Sequence, residues 1–469
     1  MARAVAIDLG ASSGRVIIVT LEDGRLSLET VHRFENRPLA TGDGLMWDLS
    51  RLTEEIDRGL AQIDFQQSDS ISVDTWGVDY VLVDDHDRVM SQPFCYRDSR
   101  TEGCCEKAGK HIPLEELYRI TGTQVLEMNT IFQLMSEKGK SGCMMFIPDY
   151  LLFHLSGQKK TEISIASTSA LLDIRNRCWS ERLRAIAGIQ RFSFLPVIQS
   201  GTVMGPYLKD SRVSIIAGCS HDTQAATSML GDNLFISCGT WSLMGAVADN
   251  PVTSPQSMEE GFTNECTLGG RISYMKNLTG LWILQCLKDE WHSSFQQMES
   301  EALQAEPLRA FIDTDDPSFS KPDGMEEKIR DYLVRTDQEV PVTRGGLVRI
   351  VNESLAMKYR NTRDSIERLT GRHFTEIHIV GGGSRSEMLC SCTACALGIP
   401  VVSGPAEATA YGNALIQFLA RGVIRDIEQG HSLISALGEI RRTEPECTAL
   451  WDEAYGRYLD VTDQRRKDK

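Results

Sequence analysis

Residues 6–19 read AIDLGASSGRVIIV: an aliphatic run closing on an acid, five glycine and hydroxyl-rich residues, then a second aliphatic run. Aliphatic and β-branched stretches of this length, broken by glycine, predict two strands joined by a short turn. The acid matters because a carboxylate at the end of a buried strand is costly without a partner. The pattern returns over Asn233–Met244, and setting Gly239 on Gly10 also places Ile236 on Ile7 and Ser242 on Ser13. Two halves of similar plan are therefore expected. The length of 469 residues agrees, since one ordinary core serves about 100–200 residues.

Periodicity fills in the layout. Strands are expected over 4–9, 15–21 and 26–32, then a helix in which Leu49, Leu52, Ile56, Leu60 and Ile63 recur at steps of three and four, capped by Asp48 or Ser50. Strands at 70–74 and 80–83 flank Thr75-Trp76-Gly77-Val78-Asp79. A strand at 213–218 runs into Cys219-Ser220-His221-Asp222-Thr223, ahead of a helix from Gln224 to Leu230. Later come a long helix from Leu347 to Leu369 stopped by Gly371, and a strand at 377–380 that enters Gly381-Gly382-Gly383. Asp313 to Glu327, with Pro317, Pro322 and Gly324, reads as a loosely packed loop. The class is α/β with mixed strand directions.

A net charge of −16 disfavours nucleic acid and anionic membrane surfaces as partners. A small anion can still be held by local backbone amides. Arg3 and Asp8 interrupt the first apolar run and no stretch of about 18 apolar residues follows, so a cytoplasmic protein is expected. The 13 cysteines read as reduced thiols, and Cys390, Cys392 and Cys395 as structural ones, because no second pair follows at zinc-site spacing.

Chemistry is sparse and local. In GASSG, Gly10 and Gly14 allow a sharp turn and close ligand approach, while Ser12 and Ser13 offer hydroxyls. Such a turn suits phosphate oxygens, with Asp8 facing a hydrated divalent cation; a plain hairpin with a hydrogen-bonded Asp8 reads equally from these residues. Gly139-Lys140-Ser141 imitates the end of a P-loop, but its first glycine would fall on Leu134.

Taken together, Asp8 with its turn, Gly239-Thr240 and Gly381–Gly383 resemble the nucleotide site of the actin–hexokinase ATPase superfamily. Within it the chain resembles the FGGY carbohydrate kinases. DLGASSGR, VDTWGVDY, YRDSR, CSHDT, SCGTWSLMG, KNLTGLWILQ, HIVGGGSRS and GPAEATAYGN follow in the order expected of members acting on L-rhamnulose. The resemblance implies two ribonuclease H-like (actin-like ATPase) domains, 1–231 and 232–469, flanking a deep cleft; the halves are expected to close on binding because the second phosphate turn lies in the C-terminal half and the base in the N-terminal half. It also implies transfer of the ATP γ-phosphoryl group to the 1-hydroxyl of L-rhamnulose; another ketose or polyol such as L-fuculose or D-xylulose is the alternative, and a non-catalytic sugar or nucleotide binder the third.

By the same resemblance Asp222 is the base, and His221, Thr223 and Gly77 contact the sugar. Asp79, ahead of Asp74, is expected to accept sugar hydroxyls, and Trp76 either to face the sugar methyl group or to sit in the core. ATP is assigned to Ala11, Ser12, Ser13, Gly14, Arg15, Thr240, Asn277, Gln285 and Gly382, and Mg²⁺ to Asp8 through water. Asn277 and Gln285, eight positions apart, would share one side of a helix. Arg97, Asp98 and Arg100 are either sugar-side wall or an ion pair.

Overall fold

The computed structural model describes residues 1–467. It resolves into two compact units, Met1–Asp232 with Val247–Met275 and Ala408–Gly438, and Asn233–Ala246 with Lys276–Glu407 and Glu439–Lys469. The first junction lies one residue beyond the expected division, and two later segments pack with the first unit.

In the first unit a six-stranded sheet runs in the order Thr202–Tyr207, Asp210–Ala217, Ser70–Thr75, Ala2–Leu9, Ser13–Glu22, Arg25–Glu35. Ala2–Leu9 is nearly all buried, as a central aliphatic strand should be. Its neighbours set the function of the sheet. Ser70–Thr75 runs parallel to it with Asp74 opposite Asp8, and Asp210–Ala217 runs parallel to Ser70–Thr75 with Ile215 opposite Ile71. Three parallel strands thus end at one edge, the place where open α/β sheets bind ligands.

Helix Leu49–Leu60 has Asp48 as its cap, accepting from the Arg51 amide, and buries Leu49, Leu52, Ile56 and Leu60. It lies close on the sheet: a Cβ at Gly59 would fall 2.6 Å from Val16 Cγ2. Helix Ala408–Ala420 is apolar almost all round and is anchored to the first strand by Gln417, whose amide donates to the Val5 carbonyl at 3.1 Å.

The second unit repeats the plan. Leu234–Cys238 pairs antiparallel with Trp241–Ala248 and parallel with Ile377–Val380, as Ala2–Leu9 pairs with Ser13–Glu22 and Ser70–Thr75. Ile377–Val380 is followed in parallel by Val401–Ser403 and that strand by the antiparallel Arg441–Thr443. The long helix is Arg344–Thr370, capped by Thr343 and ended by Gly371 at φ 70°.

The stretch 313–327 differs from expectation. Asp313, Thr314, Asp316 and Phe319 are buried, and helix Met325–Arg335 begins within it. Lys358 explains the packing, lying 3.2 Å from Asp313 and 2.7 Å from Asp315, so the acids enter the interior as an ion-pair cluster. Among the described residues no helix is long and apolar enough to cross a membrane.

Candidate active site

The parallel pairing brings acids to one edge. Asp8 is buried and pairs with Arg15, its partner across the hairpin. Asp74 is fully buried; its Oδ2 accepts from Asn413 Nδ2 at 2.6 Å, and its Oδ1 has no hydrogen-bond partner among the described residues. Burial, then the charges of Asp8 and Asp222, push the Asp74 carboxyl well above the usual carboxylate range.

The turn beyond Asp8 is held by a residue with no motif of its own. Asn36 donates its amide side chain to the Gly10 carbonyl at 2.8 Å and its backbone N–H to the Ser12 carbonyl at 3.0 Å. Ser12 is exposed and Ala11, Ser13 and Arg15 partly so. Neither Gly10 nor Gly14 uses a positive φ. Gly14 is instead needed for packing, because a Cβ there would lie 2.3 Å from the Phe34 ring and 2.8 Å from Leu9. The expectation that both glycines serve ligand approach is corrected for Gly14, whose place is inside a strand pair.

The third strand of this edge leads into CSHDT. The Thr75 amide donates to the Ser220 carbonyl at 2.9 Å, and Glu162 Oε2 accepts from the Ser220 amide at 3.1 Å while capping the helix Ile163–Ala166. Helix Asp222–Thr227 starts two residues earlier than periodicity suggests, with Asp222 in its first turn. Asp222 Oδ1 accepts from the Thr223 amide at 2.6 Å and the Thr223 hydroxyl at 3.3 Å, and lies 3.5 Å from His221 Nε2. Among the described residues nothing bonds Oδ2, and the side chain is 33% exposed. Burial raises its pKa, opposed by His221 and the Thr223 donors. His221 lies 2.7 Å through Nδ1 from Glu265 Oε2; burial lowers its pKa, yet the adjoining carboxylates carry it up to about 9.

The TWGVD segment divides. Gly77 stays partly open, and Val78 takes φ 68°, which a β-branched residue adopts only under constraint. The constraint is visible: Thr168 Oγ1 accepts from the Val78 amide at 3.1 Å and Thr130 Oγ1 donates to its carbonyl at 2.7 Å. Asp79, by contrast, is 1% exposed and bound by Trp47 Nε1 at 2.7 Å, Trp76 Nε1 at 2.9 Å, the Tyr96 amide at 3.1 Å and Gln133 Nε2 at 3.0 Å. Burial still lifts its pKa to about 6. Trp76 packs against Trp47 with ring centroids 4.3 Å apart and the rings tilted by 41°. Asp79 and Trp76 thus face each other inside the core, and the structure does not lay them open as a sugar surface. Arg100 forms a mostly buried ion pair with Glu137 at 2.8 Å, and Asp98 caps the short turn Ser99–Thr101 that contains it.

In the second unit Leu234–Cys238 and Ile377–Val380 also finish at one edge, so their glycine turns are neighbours. A Cβ at Gly383 would meet Cys238 Sγ at 2.2 Å, and Gly381 has φ 80°. Gly382 remains exposed between them. Thr240 Oγ1 donates to Gln285 Oε1 at 3.1 Å, joining two of the expected nucleotide contacts. Asn277 and Gln285 do not share a helix: Asn277 is in strand Ile272–Thr279, and helix Trp282–Glu290 starts after Gly280. A Cβ at Gly280 would lie 2.6 Å from the Gly239 carbonyl oxygen, so the break is where the chain crosses the second turn.

Residues 3–229 match the N-terminal domain, and 234–421 the C-terminal domain, of the FGGY family of carbohydrate kinases. The chain belongs to this family. Its relatives include a rhamnulokinase of Bacteroides thetaiotaomicron, 36% identical over 96% of this chain and 97% of that protein, and one of Lactiplantibacillus plantarum, 34% identical over 97% and 98%. Among solved structures, a xylulose kinase from Lactobacillus acidophilus superposes with TM-score 0.82 at 15% identity over 99% of this chain and 98% of that one. A glycerol kinase from Plasmodium falciparum with ADP gives 0.79 at 15% over 100% and 98%. The fold is therefore the two-domain, actin-like ATPase fold of these kinases.

As an FGGY carbohydrate kinase the chain uses ATP as phosphoryl donor and a sugar as acceptor. Phosphoryl transfer asks chiefly for alignment and charge stabilisation; the first unit holds Asp222, an acid with an open oxygen, and the second unit holds the exposed Thr240 and Gly382 at its glycine turns. Glu265, Asn36, Asn413 and Glu162 went unnoticed as site residues in the sequence. Of these only Asn413 lay in a quoted motif, GPAEATAYGN. The rest act through partners distant in the chain.

Proposed function

We propose that the chain transfers the γ-phosphoryl group of ATP to the 1-hydroxyl of L-rhamnulose, giving L-rhamnulose 1-phosphate and ADP, as a step of L-rhamnose breakdown in the cytoplasm. The observation that carries the reading is Asp222: an acid at the carboxyl edge of a parallel sheet, steadied through Oδ1 and with Oδ2 open. An ionised carboxylate so placed accepts the hydroxyl proton as the bond to phosphorus forms. Kinship with proteins named rhamnulokinase over nearly the whole chain supports the substrate, and thirteen free thiols suit a reducing compartment.

In this reading residues 1–231 carry the sugar site, the first phosphate turn and the base, and 232–469 the second phosphate turn and the adenosine site. His221, Thr223 and Gly77 contact the sugar. Ala11, Ser12, Ser13, Arg15, Thr240, Asn277, Gln285 and Gly382 contact ATP. Magnesium fits the first edge: the charges of Asp8 and Asp222 both bear on the buried Asp74, whose Oδ1 has no hydrogen-bond partner among the described residues. Asp8 would hold the ion through water, since magnesium keeps several waters and takes few carboxylates. Bound there, it would offset the negative charge of the phosphates.

The deciding assay is ADP release by the purified chain with ATP and L-rhamnulose, L-fuculose or D-xylulose in parallel. Preference for L-rhamnulose in kcat/KM is expected. Higher kcat/KM for either of the other ketoses rejects the assignment, and ATP turnover indifferent to all three removes the ketose-kinase reading.

A further inference from the structure

The histidine beside the base is held by a residue that belongs to no motif. Glu265 sits on strand Phe262–Cys266, and its Oε2 lies 2.7 Å from His221 Nδ1 while accepting from Gln224 Nε2 at 3.0 Å. Gln224 is fixed in turn, its Oε1 accepting from Ser273 Oγ at 2.6 Å. Both partners of the His–Glu pair are buried. With Nδ1 spent on Glu265, the other ring nitrogen, Nε2, points the histidine toward Asp222, 3.5 Å away. His221 holds the N-cap position of helix Asp222–Thr227 and makes no side-chain capping bond, so helix capping does not explain the ring's placement.

We propose that Glu265 is a positioning residue that fixes the His221 ring through Nδ1–H and keeps it a charged donor, so that Nε2–H is presented to an oxygen of the ketose next to the base. This rests on the reading of His221 and Asp222 as the sugar-facing pair. The charged groups facing the ring are Glu265 on its strand, Asp222 on the helix that follows, and Glu162 behind the turn, all carboxylates. Burial alone would discharge the ring; the carboxylates prevail and its pKa stands near 9. A charged donor binds an oxygen more strongly than a neutral one, so ketose affinity should hold through neutral pH and fall only as the ring loses its proton.

The test is a pH titration of the histidine Cε1–H signals by NMR on ¹³C-histidine-labelled protein, with His221→Asn to assign the signal, in wild type and Glu265→Gln. His221 should titrate near 9 in the wild type, and at least ten-fold more acidic in Glu265→Gln. In steady-state kinetics at pH 8 the variant should raise the ketose KM about ten-fold and leave the ATP KM in place. A wild-type His221 that titrates below about 7, near the free value, overturns the proposal; so does an unchanged His221 in the variant, or an ATP KM that moves as far as the ketose KM. If Glu265→Gln does not fold, the wild-type titration decides alone. The titration needs no substrate, so it decides about Glu265 even if L-rhamnulose is not phosphorylated.

Discussion

The turn after Asp8 and the turn after Cys238 are two versions of one device, each a strand–glycine–strand with a parallel neighbour ending beside it. What surrounds them differs. The first is set among ionisable groups, Asp8, Arg15, Asp74, Asp222, His221 and Glu265, most of them buried and pairwise compensated. Around the second stand neutral groups, Thr240, Gln285 and the exposed Gly382. A repeated backbone plan can thus be given two kinds of chemistry: charge where the protein surrounds it with partners, neutral donors where solvent has access.

The largest test of that contrast is Asp222→Asn, which should lower turnover by about 10²–10⁴ while ATP binding, followed by calorimetry, persists. Near-normal turnover would take the base out of the charged edge. Next is Gly412→Ala. Helices Ala408–Ala420 and Asp222–Thr227 touch at Gly412, and a Cβ there would lie 1.8 Å from the Ala225 carbonyl oxygen. A loss of about 3 kcal/mol in denaturant unfolding is expected, against less than about 0.5 kcal/mol for Gly10→Ala, where the Cβ meets only Ser13 O at 3.5 Å. Equal losses would mean that the first turn is packed as tightly as the helix crossing.

The third test concerns pH. The Asp79 carboxyl is raised from its ordinary 3.8 to about 6, so the folded state prefers it protonated. Its ionisation therefore erodes stability as pH rises from about 4 through 6, by about 2–3 kcal/mol in all. Relative to Asp79→Asn, the wild type should lose stability across that window, measured by thermal melts from pH 4 to 7. A difference that stays flat refutes the shift. The smallest effect expected is that of Thr240→Val at the neutral turn, about ten-fold in kcat/KM for ATP with the ketose KM unchanged. A matching change for the ketose would blur the division between the two turns.

Much of this was legible in the chain. The strands around Asp8 and Asp74, the helix from Leu49 and the long helix ended by Gly371 followed from local periodicity and capping, which need only neighbours in sequence. The exceptions have a common cause. Gly14 looked like a ligand-facing glycine because nothing nearby reveals that Phe34 lies across it. Asn277 and Gln285 looked helical because the crossing of Gly280 over Gly239 is a long-range contact. The polar run from Asp313 looked loose because Lys358 neutralises it from another helix.

The order of motifs along the chain by itself determined the family, the α/β class and the identity of the acids, since strand ends and glycine turns are short-range properties of side chains. Only the tertiary structure decided which acids are open and which are spent. Asp222 keeps a free oxygen while Asp79, equally prominent in sequence, is closed off by four donors from separate segments. The reason is that a carboxylate's chemistry depends on the donors and charges within a few ångströms of it, and in a folded chain most of those come from residues far away in sequence.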